Sequence, residues 1–261
     1  MKNWQADFYR IPTDKTPGLW ELLICDVTGD FHYSATCPQS EANSQWLITQ
    51  LKLAANSELP AVIQVFRPQC LSLMEVAATQ LGITVQPTRN TPALKQWLQA
   101  KQYPIVVDKP PPAPLPENLW GESWRFASIP AGDILDVFTQ RPIPILSMPE
   151  SLQPLKMGLA FNLSIPGVVI YGGRKSLILA RWLEAARPVS LNYLPGEPDG
   201  LILEAGLVDR WIMVTFTDTE VMAAGKVYQQ RLSTSRGLHF LLVQPDDSGI
   251  TYTGFWLLGK E

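Results

Sequence analysis

Ala61-Val62-Ile63-Gln64-Val65-Phe66 is a short, nearly continuous apolar run, and Arg67-Pro68-Gln69 follows it at once. A run of this length bounded by a turn signal describes a strand covered on both faces, because a strand with one wet face would alternate. Leu71, Met74, Ala78 and Leu81 then recur at helical spacing, and Gly82 stands where a helix would stop. Ile83-Thr84-Val85 reads as the next strand. A buried strand that passes through a proline turn into a helix and on to another strand is the grammar of a layered α/β fold.

Toward the N-terminus, residues 19 to 26 and 31 to 36 read as two strands joined by Thr28-Gly29-Asp30, a hairpin, and a helix follows across residues 43 to 55. Toward the C-terminus, Thr91-Pro92 places a cap residue before a proline at the first helical position, with Leu94, Trp97, Leu98 and Lys101 on the following turns. The first region therefore reads hairpin, helix, strand, helix, strand, helix, an order compatible with nuclease-like α/β folds. Asp108-Lys109-Pro110-Pro111-Pro112-Ala113-Pro114-Leu115-Pro116 then removes backbone donors in succession and favours an extended spacer. The expected organisation is an N-terminal α/β domain over 1–107, a proline-rich linker over 108–118, and a C-terminal α/β domain over 119–261.

In that second region, residues 167 to 171 read as a strand and 177 to 186 as a helix stopped by Arg187-Pro188. Residues 189 to 193, 200 to 204 and 210 to 216 are further strands, 219 to 232 a helix, and 238 to 244 with 251 to 258 a closing hairpin. The prolines at 142 and 144 argue against a regular element there. Pro60-Ala61-Val62-Ile63 and Pro166-Gly167-Val168-Val169 form a faint internal echo, each a strand leading through a cationic turn into a helix.

With 261 residues, 46% of them hydrophobic, the chain has material for a substantial core. A net charge of -3 excludes a chain-wide polycation, so any nucleic-acid site must be a local basic patch. The three cysteines, at 25, 37 and 70, form neither an even disulfide set nor a CxxC metal pair, which suits structural thiols in a reducing cytoplasm. The N-terminus lacks both the apolar core of a signal peptide and the Arg/Ser-rich character of a transit peptide. There is no apolar stretch of roughly 18 residues that could span a bilayer.

Paired carboxylates are the first test of chemistry. Glu21 and Asp26 are the obvious pair, but side chains alternate along a strand, so these two face opposite ways and cannot share an ion. A bulge, or Asp30 in place of one partner, would be needed for two-metal phosphoryl chemistry. Gly172-Gly173-Arg174-Lys175-Ser176 lies between a strand and a helix, where helix amides and two cations attract an anion. It is not a P-loop, because Arg174 stands where that motif requires glycine. The turn is a candidate contact for RNA phosphate or an ordinary surface turn. Arg67 and Gln69 lie at the C-terminal end of a buried strand, where α/β sheets present ligand groups, and Arg89 follows the next strand. Arg67 is read with equal force as pairing with an acid such as Asp26 to fix the turn. His239, between Leu238 and Phe240, reads as a satisfied structural imidazole, and no catalytic triad or zinc ligand set emerges from spacing. Of the nine tryptophans, Trp46, Trp97, Trp182 and Trp211 sit among aliphatic residues and are assigned to core.

Five segments occur in order: residues 19–26 (Leu-Trp-Glu-Leu-Leu-Ile-Cys-Asp), Phe66-Arg67-Pro68-Gln69, residues 115–122 (Leu-Pro-Glu-Asn-Leu-Trp-Gly-Glu) with Trp124, residues 237–244 (Gly-Leu-His-Phe-Leu-Leu-Val-Gln), and Gly254-Phe255-Trp256-Leu257-Leu258. Together they resemble the Tab/ATAB-type RNA-binding translation activators of cyanobacteria and chloroplasts, across essentially the full length. The lack of a transit peptide and the early stop after Leu258 suit a cyanobacterial-type member. The resemblance implies binding to single-stranded A/U-rich RNA in the 5′ leader of a photosystem I reaction-centre message, and a role in photosystem biogenesis. It does not assign RNA-contacting residues. The physical reading nominates Arg67, Gln69, Arg89, Arg174 and Lys175, with no catalytic residue, metal or cofactor. The expected place is the cytoplasm, with peripheral attachment to thylakoid membranes as a variant. Two alternatives stand beside this: a metal-dependent nuclease using Asp26 with Glu21 or Asp30, and an assembly scaffold presenting Phe255 and Trp256 to a protein partner.

Overall fold

A computed structural model describes residues 2–12, 18–56 and 58–260. The chain divides into two compact units, Met1–Asp108 and Lys109–Glu261.

Unit 1 runs β1 (Asn3–Arg10), β2 (Leu19–Asp26), β3 (His32–Pro38), α1 (Ser44–Ala55), β4 (Val62–Val65), α2 (Pro68–Gln80), β5 (Thr84–Pro87) and α3 (Pro92–Ala100). The strands form one sheet in the order β3-β2-β1-β4-β5, antiparallel on the β1–β3 side and parallel from β1 through β5. The leading strand β1 was not anticipated. Its alternation of Trp4, Ala6 and Phe8 is a strand signal, but Gln5 and Asp7 between them disguise a strand buried on both faces. Trp4, Ala6, Phe8, Ile63 and Val65 face α1 and α2, while Leu23, Cys25 and Phe66 meet Leu94 and Leu98 of α3 on the other face. Asn43 caps helix α1, its side chain accepting from the Trp46 amide at 3.0 Å. Helix α3 does start at Pro92, yet the buried Thr91 hydroxyl makes no cap and has no hydrogen-bond partner among the described residues. The fixed backbone of Pro92 carries that start. Cys25, Cys37 and Cys70 are all buried and unbridged. Burial pushes the Cys25 and Cys70 thiols up to about 12, so they stay protonated.

Unit 2 runs β6 (Ala113–Pro114), β7 (Ser123–Pro130), α4 (Asp133–Thr139), β8 (Ile145–Ser147), β9 (Ser164–Tyr171), α5 (Ser176–Ala186), β10 (Pro188–Leu194), β11 (Asp199–Ala205), β12 (Asp209–Phe216), α6 (Thr219–Thr234), β13 (Leu238–Gln244) and β14 (Gly254–Gly259). One sheet has the order β7-β9-β13-β14-β8 and the other β10-β11-β12-β6. Between the sheets, Val168, Ile170, Leu241 and Val243 pack with Leu191, Leu201 and Leu203, joined by α5 and α6. The opposite face of the five-stranded sheet is closed by Ile134 and Phe138 of α4.

Two expectations change here. The proline-rich segment is a free spacer only in name: Ala113 and Pro114 pair with β12, Leu115 and Leu119 are buried, and Lys109 Nζ bonds Glu204 Oε2 at 2.6 Å. An extended, donor-poor strand suits a sheet edge, and that is where this one lies. Second, Phe255 and Trp256 are not an exposed aromatic surface. They are 0% and 3% exposed, because β14 lies between β13 and β8 inside its sheet, so a protein partner cannot dock on them.

Candidate nucleic-acid interface

In unit 1 the β4–α2 and β5–α3 turns share an edge. Strands β4 and β5 pair in parallel with Val65 opposite Pro87, so Arg67 and Arg89 each follow that rung by two residues. The structure thus places them at one end of the sheet, because β4 and β5 are neighbours. Their charges, however, are turned inward. Arg67 is 3% exposed, and its Nε lies 2.9 and 3.2 Å from the two carboxylate oxygens of Asp7. Its Nη2 donates to Asp7 Oδ2 at 3.1 Å and to the Pro104 carbonyl at 2.9 Å. The guanidinium also lies over the Tyr9 ring, 4.1 Å from its centre. The pairing acid is therefore Asp7 of β1 rather than Asp26. Burial raises the Asp7 carboxyl pKa against the pull of Arg67, and the guanidinium meets the carboxyl with two N–H groups side by side. Arg89 is also buried and engaged, whereas Gln69 is exposed at the first turn of α2.

The acids proposed for metal chemistry are also committed. Glu21 accepts from Lys101 Nζ at 2.9 Å and from the Tyr103 hydroxyl at 2.8 Å. Asp26 closes the hairpin turn, accepting from the Gly29 and Phe31 amides at 2.8 and 3.2 Å and from the Thr28 hydroxyl at 2.8 Å. No cluster of three or more His, Cys, Asp or Glu side chains suited to a metal ion occurs among the described residues.

One polar feature escaped the sequence reading. Gln5, Gln64 and Gln86 occupy the same rung of β1, β4 and β5, and their amides form a ladder with links of 3.2 and 3.1 Å. Gln5 is buried and also accepts from the Leu94 amide at 3.0 Å, while Gln86 is exposed. Each glutamine was visible, but only the strand register aligns them.

In unit 2, Arg174 and Lys175 are exposed on a 3₁₀ turn leading into α5. The backbone amides around them do not form an anion cradle. Gly172 and Gly173 donate to the carbonyls of Gln244 and Pro245 at 2.9 and 3.0 Å, Lys175 donates to Gly172, and Ser176 to Gly173. Gly173 has φ +52, and a side chain there would meet the Glu122 carboxylate. The glycines thus serve packing of the turn, and the cations are what remain for a ligand. The adjoining polar recess is lined by Glu122, Arg125, Asp246 and Asp247 among others, so three acidic side chains stand there beside one guanidinium.

His239 is fully buried: Nδ1 donates to the Gly237 carbonyl and Nε2 accepts from the Leu191 amide, both at 2.8 Å. Burial lowers its pKa to about 4. It is a satisfied structural imidazole, as expected.

Residues 3–101 match the sequence model for the N-terminal domain of the RNA-binding protein Tab2/Atab2, and residues 102–259 match that for its C-terminal domain. The chain belongs to the Tab2/Atab2 RNA-binding protein family. Its relatives include the chloroplastic protein TAB2 homolog of Arabidopsis thaliana, 28% identical over 282 residues, covering 99% of this chain and 74% of the relative. The homolog of Zea mays is 26% identical over 281 residues, covering 99% and 71%. Among solved structures, a simian T-cell lymphotropic virus intasome in complex with PP2A regulatory subunit B56 gamma aligns with a TM-score of 0.27 and 15% identity, over 38% of this chain and 42% of that one. A likeness that weak carries no argument, and the nuclease-like order of unit 1 gains nothing from it. No helix among the described residues is long and apolar enough to cross a membrane.

Proposed function

We propose that this family member binds single-stranded, A/U-rich RNA in the 5′ leader of a photosystem I reaction-centre message and activates its translation, acting in photosystem biogenesis without catalysing a reaction. The observation that carries the reading is the tandem match of both family domains, which together account for almost the whole chain. Under this reading the protein works in the cytoplasm, with any thylakoid association peripheral.

RNA contact falls to exposed groups. Arg174 and Lys175 supply phosphate contacts, and Gln69 supplies an amide able to bond a base edge. Arg67 and Arg89 act from behind, holding the sheet-edge turns that present their neighbours. A small number of phosphate contacts agrees with the chain's net charge of -3.

The test is to crosslink the tagged protein to RNA in its native cells and sequence what is recovered, beside an unrelated tagged control. Enrichment of a photosystem I leader is expected. RNA recovery no higher than the control overturns the reading, and enrichment of unrelated messages overturns its target.

A further inference from the structure

We propose that unit 2 contains a binding site for a neutral, long-chain apolar small molecule, seated between its two sheets. A cavity of about 470 Å³ lies there, walled by β9 on one side and by β11 and β12 on the other. Close-packed interiors leave few voids larger than a water molecule, and small-ligand sites span roughly 300–1,000 Å³. This space is of ligand size, not a packing defect.

Its lining defines the chemistry. The deep wall consists of Val168, Ile170, Leu179, Leu191 and Leu201, all nearly or fully buried in that wall, and no charged side chain borders the space. Besides the tryptophans, the residues with polar side chains that border it are Ser123 and Thr215, both exposed, and strand alternation turns each away from the face that carries Trp124 or Val214. Strands β9 and β11 are each paired on both sides, so their backbone groups are already satisfied. A nucleobase, carboxylate or amide pushed against the deep wall of β9 and β11 would lose its water without replacement there, which costs far more than apolar contact returns. A hydrocarbon chain loses nothing there, and a terminal hydroxyl can stay in water at the open mouth.

The mouth itself is built. Trp120 is 55% exposed, yet its indole N–H is tied to the Leu115 carbonyl at 2.9 Å, which fixes the ring at the rim. Trp124 stands beside it, held edge-on to Phe126 with ring centres 5.2 Å apart. Gly121 lets this segment approach β9 closely, since a side chain there would meet Ile170 at 2.6 Å. Residues 115–122, one of the stretches by which the sequence resembles its family, therefore supply one wall of the cavity through Leu115, Leu119, Trp120 and Gly121. The inference stands apart from RNA binding and survives or fails independently of it.

The test is calorimetric titration of the full chain with dodecanol and with geranylgeraniol, and with dodecanoate as the charged counterpart. Saturable binding of one equivalent of an alcohol is expected, with dodecanoate weaker by about tenfold or more because no cation lines the site. Val168→Phe and Leu201→Trp grow into the cavity, and should weaken the alcohol by about tenfold or more while leaving the melting temperature unchanged or higher. If either variant unfolds, Trp120→Ala, at the exposed rim, should weaken dodecanol and dodecane alike. Absence of saturable binding by the wild-type chain, equal affinity for alcohol and carboxylate, or undiminished binding by folded, cavity-filled variants would each overturn the proposal.

Discussion

The β4–α2 junction of unit 1 and the β9–α5 junction of unit 2 are written in similar language and end in opposite states. In each, a strand with at least one parallel neighbour ends in a cationic turn that opens a helix. In unit 1 the cation is Arg67, buried and gripped by Asp7. In unit 2 the cations are Arg174 and Lys175, both exposed. What differs is the neighbouring strand. β1 offers an acid on the face from which Arg67 can reach it, whereas β13 ends in Gln244, whose carbonyl takes a glycine amide instead. A cation at a strand end is thus buried as a latch or left exposed according to what stands beside it.

The comparison breaks most forcefully at the latch. Arg67→Ala or Asp7→Ala leaves one buried charge without its partner and should destabilise unit 1 by about 3–5 kcal/mol in denaturant unfolding. The double variant should cost less than the sum of the two. Additive losses would mean the pair is not coupled.

Next in size is a pH effect located in unit 2. Folded His239 stays neutral down to about pH 4, chiefly because it is buried, while an unfolded imidazole protonates near 6.5. Between these values the unfolded chain binds the extra proton, so stability falls as pH drops through this window and the loss is complete below about 4. The total is about 3 kcal/mol. Unfolding measured across that range should lose this component of its slope in His239→Gln, and an unchanged slope would assign the effect elsewhere.

A smaller effect is expected at the second turn. Gly173→Ala meets both a left-handed backbone and the Glu122 carboxylate, so a loss of about 1–3 kcal/mol is expected. A Glu122→Ala background should restore only the steric share, since φ at that position stays positive. Smallest of all, Arg174→Ala with Lys175→Ala should change stability by no more than about 0.5 kcal/mol. The same variant should weaken RNA binding and flatten its salt dependence by about one unit of log-log slope per cation. Unchanged affinity and slope would remove this turn from the interface.

Much of the architecture was legible locally. The run at 61–66, the helical spacing of Leu71, Met74 and Ala78, and the proline at 92 each mark an element through short-range geometry. β1 was missed because Gln5 and Asp7 look like surface residues until a ladder and an ion pair bury them. The short β8 was missed because three residues after Pro144 carry no period to read. At the candidate interface, nomination of Arg174 and Lys175 required only the strand-turn-helix order. The inward turn of Arg67 was one of two readings, and its partner was misassigned to Asp26.

By itself the sequence determined the α/β class, the proline start of α3, the opposed facing of Glu21 and Asp26, and the structural character of His239. These follow from backbone alternation, helical period and the conformations that proline allows, all of which act within a few residues. Only the tertiary structure decided that Asp7 meets Arg67 across 60 positions of chain, that three glutamines share a rung, that Phe255 and Trp256 lie inside a sheet, and that two sheets leave a ligand-sized space between them. Those outcomes depend on strand order and register, which arise from the summed burial of whole faces and leave no mark in any one local stretch.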